Sequence, residues 1–499
     1  MKNKLVLGPI LGLESDSLYT VTFVTNSSVE KAWVKFGDNK VPASSVGDIH
    51  SGSVWRAELK IEAGADSKNI SYSVLADNIE VTDNSGRSCW SFYVPGNNEK
   101  PKMAYVSCNG FSDYKLMNAT EQPYRLWEQM KSEHAESAFS LLLMGGDQVY
   151  ADSIWTQINL LKLWNELPRA EKIKRSATKD MRSQIDKFYS ELYVSRWNKE
   201  PLATMLASIP SIMMWDDHDI FDGWGSYPDE MQSCEVYQAI FAAAKKHYEL
   251  LQVRGRNTSL LAKNKEKPEH YSSAVTFRGY TILSLDNRSD RSLTEVMSQD
   301  HWLDITNFLE NTCPQGDLLV LSAVPVVYRD FSFAESALDM TPWEEALEDD
   351  LKDHWRAKEH EGERLRLIMN LLTNAHKRKG KTVMLSGDVH VGCLGIIQDK
   401  RKEHPVNIHQ VVSSGIVHPA PTYLEWLGIL AITNDDLEYL DETRSITADM
   451  IKPHGSNKYI RARNFVTLLE GTDQKLWVNW VCEGKDKPAY PLQSSGQQP

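Results

Sequence analysis

The hydrophobic pattern changes once along the chain. Up to about residue 95, apolar and polar positions alternate in short runs at 18–24, 32–36, 54–61 and 70–74, with Gly, Asn, Asp and Ser between them. Period-two alternation bounded by turn residues predicts a small all-β, immunoglobulin-like sandwich over residues 1–95. Pro95, Gly96, Asn97, Asn98 and Pro101 read as a linker. From 101 to 499 the strands become continuous apolar runs, the pattern of strands buried on both faces. They alternate with helical stretches at 171–196, 235–251 and 343–377, the last rich in charge and read as a solvated face. A hairpin at 465–469 and 476–481 closes the chain. The expectation is a layered α/β catalytic domain over 101–499 behind the amino-terminal β-sandwich.

Apolar runs end in residues able to bind metal or move protons. Residues 103–107 lead to Cys108 and Asn109, and 141–146 lead to Asp147 and Tyr150. Residues 209–215 lead to Asp216, Asp217, His218 and Asp219; 280–285 lead to Asp286 and Arg288; 382–387 lead to Asp388 and His390. A single such junction is ordinary, because Asp and Asn suit turns and helix caps. Five together are not, since open α/β sheets bind ligands beyond the carboxyl ends of their strands. Hard carboxylates and a phenolate suit Fe(III), Mn(II) or Ca(II), whereas imidazole and thiolate favour softer ions, so the mixture suits a dinuclear centre.

Composition narrows the partners. The 499 residues suit one large catalytic domain and a smaller module. A net charge of -13, from 55 basic and 68 acidic residues, argues against non-specific binding to nucleic acid or anionic lipid. It does not exclude an anionic substrate, because bound cations reverse the local field. No apolar run is long enough to span a membrane. The start, Met1 to Leu13, faintly mimics a signal peptide but contains Pro9, lacks a small-x-small cleavage site and has no twin arginine, so a cytoplasmic location is expected. The six scattered cysteines form no C-x-x-C pair and read as free thiols. Nothing in the pattern sets the oligomeric state.

The ordered motifs G-D-x-x-Y at 146–150, W-D-D-H-D at 215–219 and S-G-D-x-H at 386–390 resemble those of the calcineurin-like metallophosphoesterases, and most closely the PhoD-like alkaline phosphatases. The resemblance covers about residues 103–420, and the leading β-module fits it as well. It implies an α-β-β-α sandwich and a dinuclear centre of Fe(III) with Ca(II), or with Mn(II) or Mg(II). In that scheme Asp147 bridges both ions, Tyr150 binds Fe(III) as phenolate, and Cys108 stands where many relatives carry aspartate. Asp217 and Asp222 are candidates for the second ion, and Asp388 and His390 complete the two spheres. The implied activity is hydrolysis of a small phosphate ester, mono- or diester, by a metal-bound hydroxide.

His218 is the candidate catalytic acid, since an imidazole of pKa about 6.5 flanked by carboxylates donates a proton near neutral pH. Arg288 and Arg291 could clamp phosphate oxygens, or pair with the neighbouring Asp286 and Asp290. His418 reads as a structural residue near the cleft, and Trp224 as a cleft wall. The competing expectation is a non-catalytic scaffold on the same fold, which would have lost at least one ligand.

Overall fold

A computed structural model describes residues 4–255, 258–329, 354–484 and 486–493. Two sheets pack face to face. In the first, Met103–Val106, Leu141–Gly145 and Ser211–Met214 run parallel, flanked on one side by the antiparallel hairpin Asn464–Glu470 and Leu476–Cys482. In the second, Tyr280–Ser284, Asp317–Leu321, Thr382–Ser386 and Val406–Val412 run parallel.

Alternate side chains of each strand explain the layers. Met103, Tyr105, Leu141 and Leu143 point into a core shared with Ile282, Leu319, Leu321, Val383 and Leu385 of the second sheet. Their neighbours Ala104, Val106, Leu142 and Met144 point the other way, onto Ile185, Tyr189 and Leu192 of the helix Lys179–Trp197. On the far side, Leu283, Leu318, Val320 and Met384 pack on Leu367 and Leu371 of the helix Glu361–Lys377. Each of these strands is therefore covered on both faces, which is why its sequence reads as an unbroken apolar run. The α-β-β-α sandwich is the expected architecture.

The amino-terminal strands form the expected all-β region. The apolar run near Met1 becomes the strand Leu7–Ser15, which pairs antiparallel with Leu18–Thr25 and parallel with Ser211–Met214. The first sheet therefore continues from the parallel strands into the amino-terminal ones. Strand Asn39–Ile49 pairs with Gly52–Lys60 at one end and Ala32–Phe36 at the other, which folds the second layer over the first.

Two helix expectations need correction. The stretch 171–196 is broken: a short helix Arg169–Lys172 ends, and Thr178 caps a new one from Lys179 by accepting the Met181 amide. The cap hydroxyl competes for the backbone and restarts the helix. The stretch 343–377 is helical only from Glu361 to Lys377; residues 354–360 form turns, and 343–353 lie outside the described residues.

Candidate metal centre

The strand ends meet through tight turns. Cys108, Asp147, Asp388 and His390 have φ of 50, 53, 64 and 52°, in the left-handed region that costs a side-chain-bearing residue roughly 1–2 kcal/mol. Among the described residues eleven non-glycine positions have positive φ. More than a third of them are thus candidate ligands, the clustering expected where backbone strain serves a site. Gly146 lets the sheets close: at its φ of 109°, an added Cβ would come within 3.0 Å of the Asp216 Cβ and 3.1 Å of the Ala323 Cβ. At Gly387 it would sit 2.1 Å from the Ser107 hydroxyl, beside Cys108.

One group of donors gathers around Tyr150. Its hydroxyl donates to Asp147 Oδ2 at 3.3 Å and lies 3.3 Å from His390 Nε2. Burial, then the charges of Asp147 and Asp388, push the Cys108 thiol well up. Burial, Asp147 and Cys108 do the same to the Tyr150 phenol. Burial, with His418 and His218 nearby, holds His390 well below the usual range and therefore neutral. Thiol and phenol would ionise here only against a compensating cation, so cation binding would expel protons.

A second group is acidic. Carboxylate oxygens of Asp216, Asp217 and Asp388 lie within 4.8 Å of one another, and so do ligand atoms of Asp147, Asp217 and His218. Burial raises Asp147, His218 opposes the rise, and Asp216, Asp217 and Asp219 add to it. Asp147 Oδ1 is buried without a hydrogen-bond partner. A buried orphan oxygen amid carboxylates is costly unless a cation occupies the gap. The structure thus gathers thiol, phenol and imidazole donors on one side of Asp147 and the carboxylates of Asp216, Asp217 and Asp388 on the other, donor types that fit bound cations.

Arg288 sits behind this group and not in the cleft. It is 0% exposed. Its Nε donates to Asp216, its Nη2 lies 3.4 Å from Asp217 Oδ1, and its Nη1 donates to the Trp224 carbonyl at 2.9 Å. Trp224 is also buried, its ring stacked flat on Phe241 at 4.7 Å, so it belongs to the core and not to a cleft wall. Arg291 is buried against His360.

His218 stacks on Tyr150 with ring centroids 4.2 Å apart. Its Nδ1 lies 2.9 Å from Asp152 Oδ2. Burial works against the imidazolium, but Asp152, Asp217 and Asp222 outweigh it and hold the pKa well above the ordinary histidine range. Asp222 stands on the rim, 56% exposed at its side chain, with Oδ1 3.9 Å from His218 Nε2. It joins neither carboxylate group. Asp219 ties the turn together by accepting from the amides of Gln148, Val149 and Asp216. His418 stacks on His390 at 3.7 Å, so it borders the site more closely than its sequence position suggested.

Asp152 escaped the sequence reading. It lies just before the helix Ile154–Gln157, where an aspartate reads as a cap. Only its spacing of two from Tyr150 offered a signal. Asp216 was visible within W-D-D-H-D but carried no assigned role.

The chain matches the family described as PhoD related phosphatase over residues 76–343 and 338–440. It is 27% identical over 413 residues to an uncharacterized protein of Saccharomyces cerevisiae, across 70% of this chain and 58% of that one. The match therefore spans less than two thirds of the yeast protein. Among solved structures, PhoD superposes with a TM-score of 0.61 at 13% identity, covering 99% of this chain and 90% of that chain. A purple acid phosphatase from yellow lupin (Lupinus luteus) seeds superposes with a TM-score of 0.51 at 12% identity, covering 97% and 74%. At these identities the superpositions speak for the fold.

Proposed function

The chain belongs to the PhoD-related phosphatase family, and from that premise we propose that it hydrolyses phosphoric esters with two cations held by Cys108, Asp147, Tyr150, Asp217, Asp388 and His390. The observation that carries this reading is the orphaned Asp147 Oδ1 inside a knot of buried carboxylates. The phenolate and thiolate side suits Fe(III), and the all-oxygen side suits Ca(II), Mn(II) or Mg(II). When bound, such a pair neutralises phosphoryl charge and activates water.

The residues have separate tasks. His218, kept protonated by Asp152, donates to the departing alcohol oxygen. Asp152 fixes the ring through Nδ1, leaving Nε2 to face the leaving group. Asp222, on the rim, supports the imidazolium charge. Arg288 offsets Asp216 and Asp217 from behind, which keeps the carboxylates from repelling one another before cations arrive. A non-catalytic scaffold would gain nothing from an unpaired buried carboxylate oxygen.

Chelation tests the reading directly. Purified protein stripped with EDTA should lose hydrolysis of an aryl phosphate and a bis-aryl phosphate. Fe(III) with Ca(II) should restore it, with a visible tyrosinate absorption band. Unchanged hydrolysis in EDTA, or no colour and no rate after reconstitution, would sink it.

Asp152→Asn separates positioning from folding. Losing that charge lowers the His218 pKa, so the acid form disappears at lower pH. The alkaline limb of the kcat profile should move toward neutrality, and kcat should drop on the order of a hundredfold. A uniform loss with an unmoved limb would show a merely structural Asp152.

A further inference from the structure

The helix Tyr423–Ile432 has the composition of a core segment and the exposure of a surface one. Its sequence, YLEWLGILAI, is apolar almost all round, which ordinarily marks a buried helix. Yet Tyr423 is 62% exposed, Leu424 79%, Leu427 42% and Leu430 38%. Of the twelve large hydrophobic side chains exposed among the described residues, six fall between 423 and 439. Clustered exposure of this kind marks an interaction surface.

The helix follows the metal centre closely along the chain. His418 packs on His390 at 3.7 Å, and Tyr423 follows five residues later, at most roughly 18 Å of extended chain. A groove of about 490 Å³ runs beside the helix, walled by Trp426, Leu427 and Leu430 and edged by Lys458, Arg461, Glu483 and Asp486. The Arg461 guanidinium lies 5.4 Å from the Tyr423 ring centroid. Its Nε is buried without a hydrogen-bond partner.

We propose that this helix docks on a lipid bilayer surface and that the substrate is a phosphate ester of a lipid presented there. The substrate half rests on the hydrolase reading above; the docking half does not. Three features favour a bilayer over a protein partner. The only charge on the helix is Glu425, whose carboxylate turns back to accept the Thr422 amide at 2.7 Å, leaving no ionic group for a specific protein contact. Tyr423, exposed at the start of the helix, is a side chain that favours a membrane–water boundary. Arg461 stands at the edge, where a headgroup phosphate would lie, whereas Lys458 is paired with Asp435 at 3.1 Å. Among the described residues no helix is long and apolar enough to cross a membrane, so the helix lies on the surface. The net charge of -13 points to a zwitterionic bilayer and not a strongly anionic one.

The test uses the full chain, phosphatidylcholine vesicles with and without phosphatidic acid, and the double variant Leu424→Glu/Leu427→Glu. The native chain should float with both kinds of vesicle and release phosphate from phosphatidic acid. The variant should bind vesicles on the order of a hundredfold more weakly while hydrolysing a soluble aryl phosphate at the native rate. A native chain that stays in solution overturns the proposal, as does a variant that binds equally well. So does a native dimer by sedimentation velocity that the variant abolishes, because the face would then be covered by a second copy. Vesicle binding without hydrolysis of either ester would overturn the hydrolase reading and the lipid substrate, and leave the docking surface standing.

Discussion

Asp147→Asn is expected to lower kcat/KM for an aryl phosphate by at least about a thousandfold while making the metal-free protein more stable at neutral pH. The rate follows from the position of Asp147 between the two donor groups. Its Oδ2 accepts the Tyr150 hydroxyl and its Oδ1 is orphaned, so an amide would loosen both cations. Metal stabilisation of a phosphoryl transition state amounts to several kcal/mol, and about 1.36 kcal/mol is tenfold in rate. The stability gain follows from linkage. Burial and neighbouring carboxylates raise the folded pKa of Asp147. A carboxyl raised in this way contributes stability that is present below its unfolded pKa and is lost as pH rises through the folded value. Such a carboxyl opposes folding at neutral pH until a cation binds, and asparagine removes that cost. Activity assays with thermal unfolding in EDTA check both halves. Native-like rates refute the bridging role, and a lower Tm refutes the electrostatic account.

Arg288→Met should destabilise the metal-free protein by about 3–5 kcal/mol, the usual cost of stranding one side of a buried ion pair. Arg288 is fully buried and faces Asp216 and Asp217, so the variant leaves two carboxylates without their cation. Urea unfolding in EDTA measures the loss, and added divalent cations should recover part of it. Arg288→Lys keeps the charge but not the planar fork, and should fall between. Were Arg288 a phosphate clamp, as its sequence context allowed, the methionine variant would keep its stability and show a raised KM instead.

The larger of these effects was legible in the chain and the other was not. Asp147 stands after an apolar run and two glycines, and strand ends in this kind of sheet face a common cleft, so its importance follows from local pattern. The Arg288 contacts join residues more than 60 positions apart, and no local pattern says whether a strand-end arginine turns inward or outward. Asp152 shows the same limit. Its carboxylate meets His218 across 66 positions, although its own neighbourhood reads as a helix start.

The amino-acid sequence by itself determined the strands that lead to the candidate ligands, because continuous apolar runs mark strands buried on both faces, and it determined the residues at those strand ends. The tertiary structure decided which of those residues lie together, which carboxylate holds His218, why Arg288 is sealed away, and that Tyr423, Leu424, Leu427 and Leu430 are exposed. The physical reason is one of range. Hydrophobic period acts within a few residues, whereas charge pairing, burial and exposure depend on what the rest of the chain brings alongside.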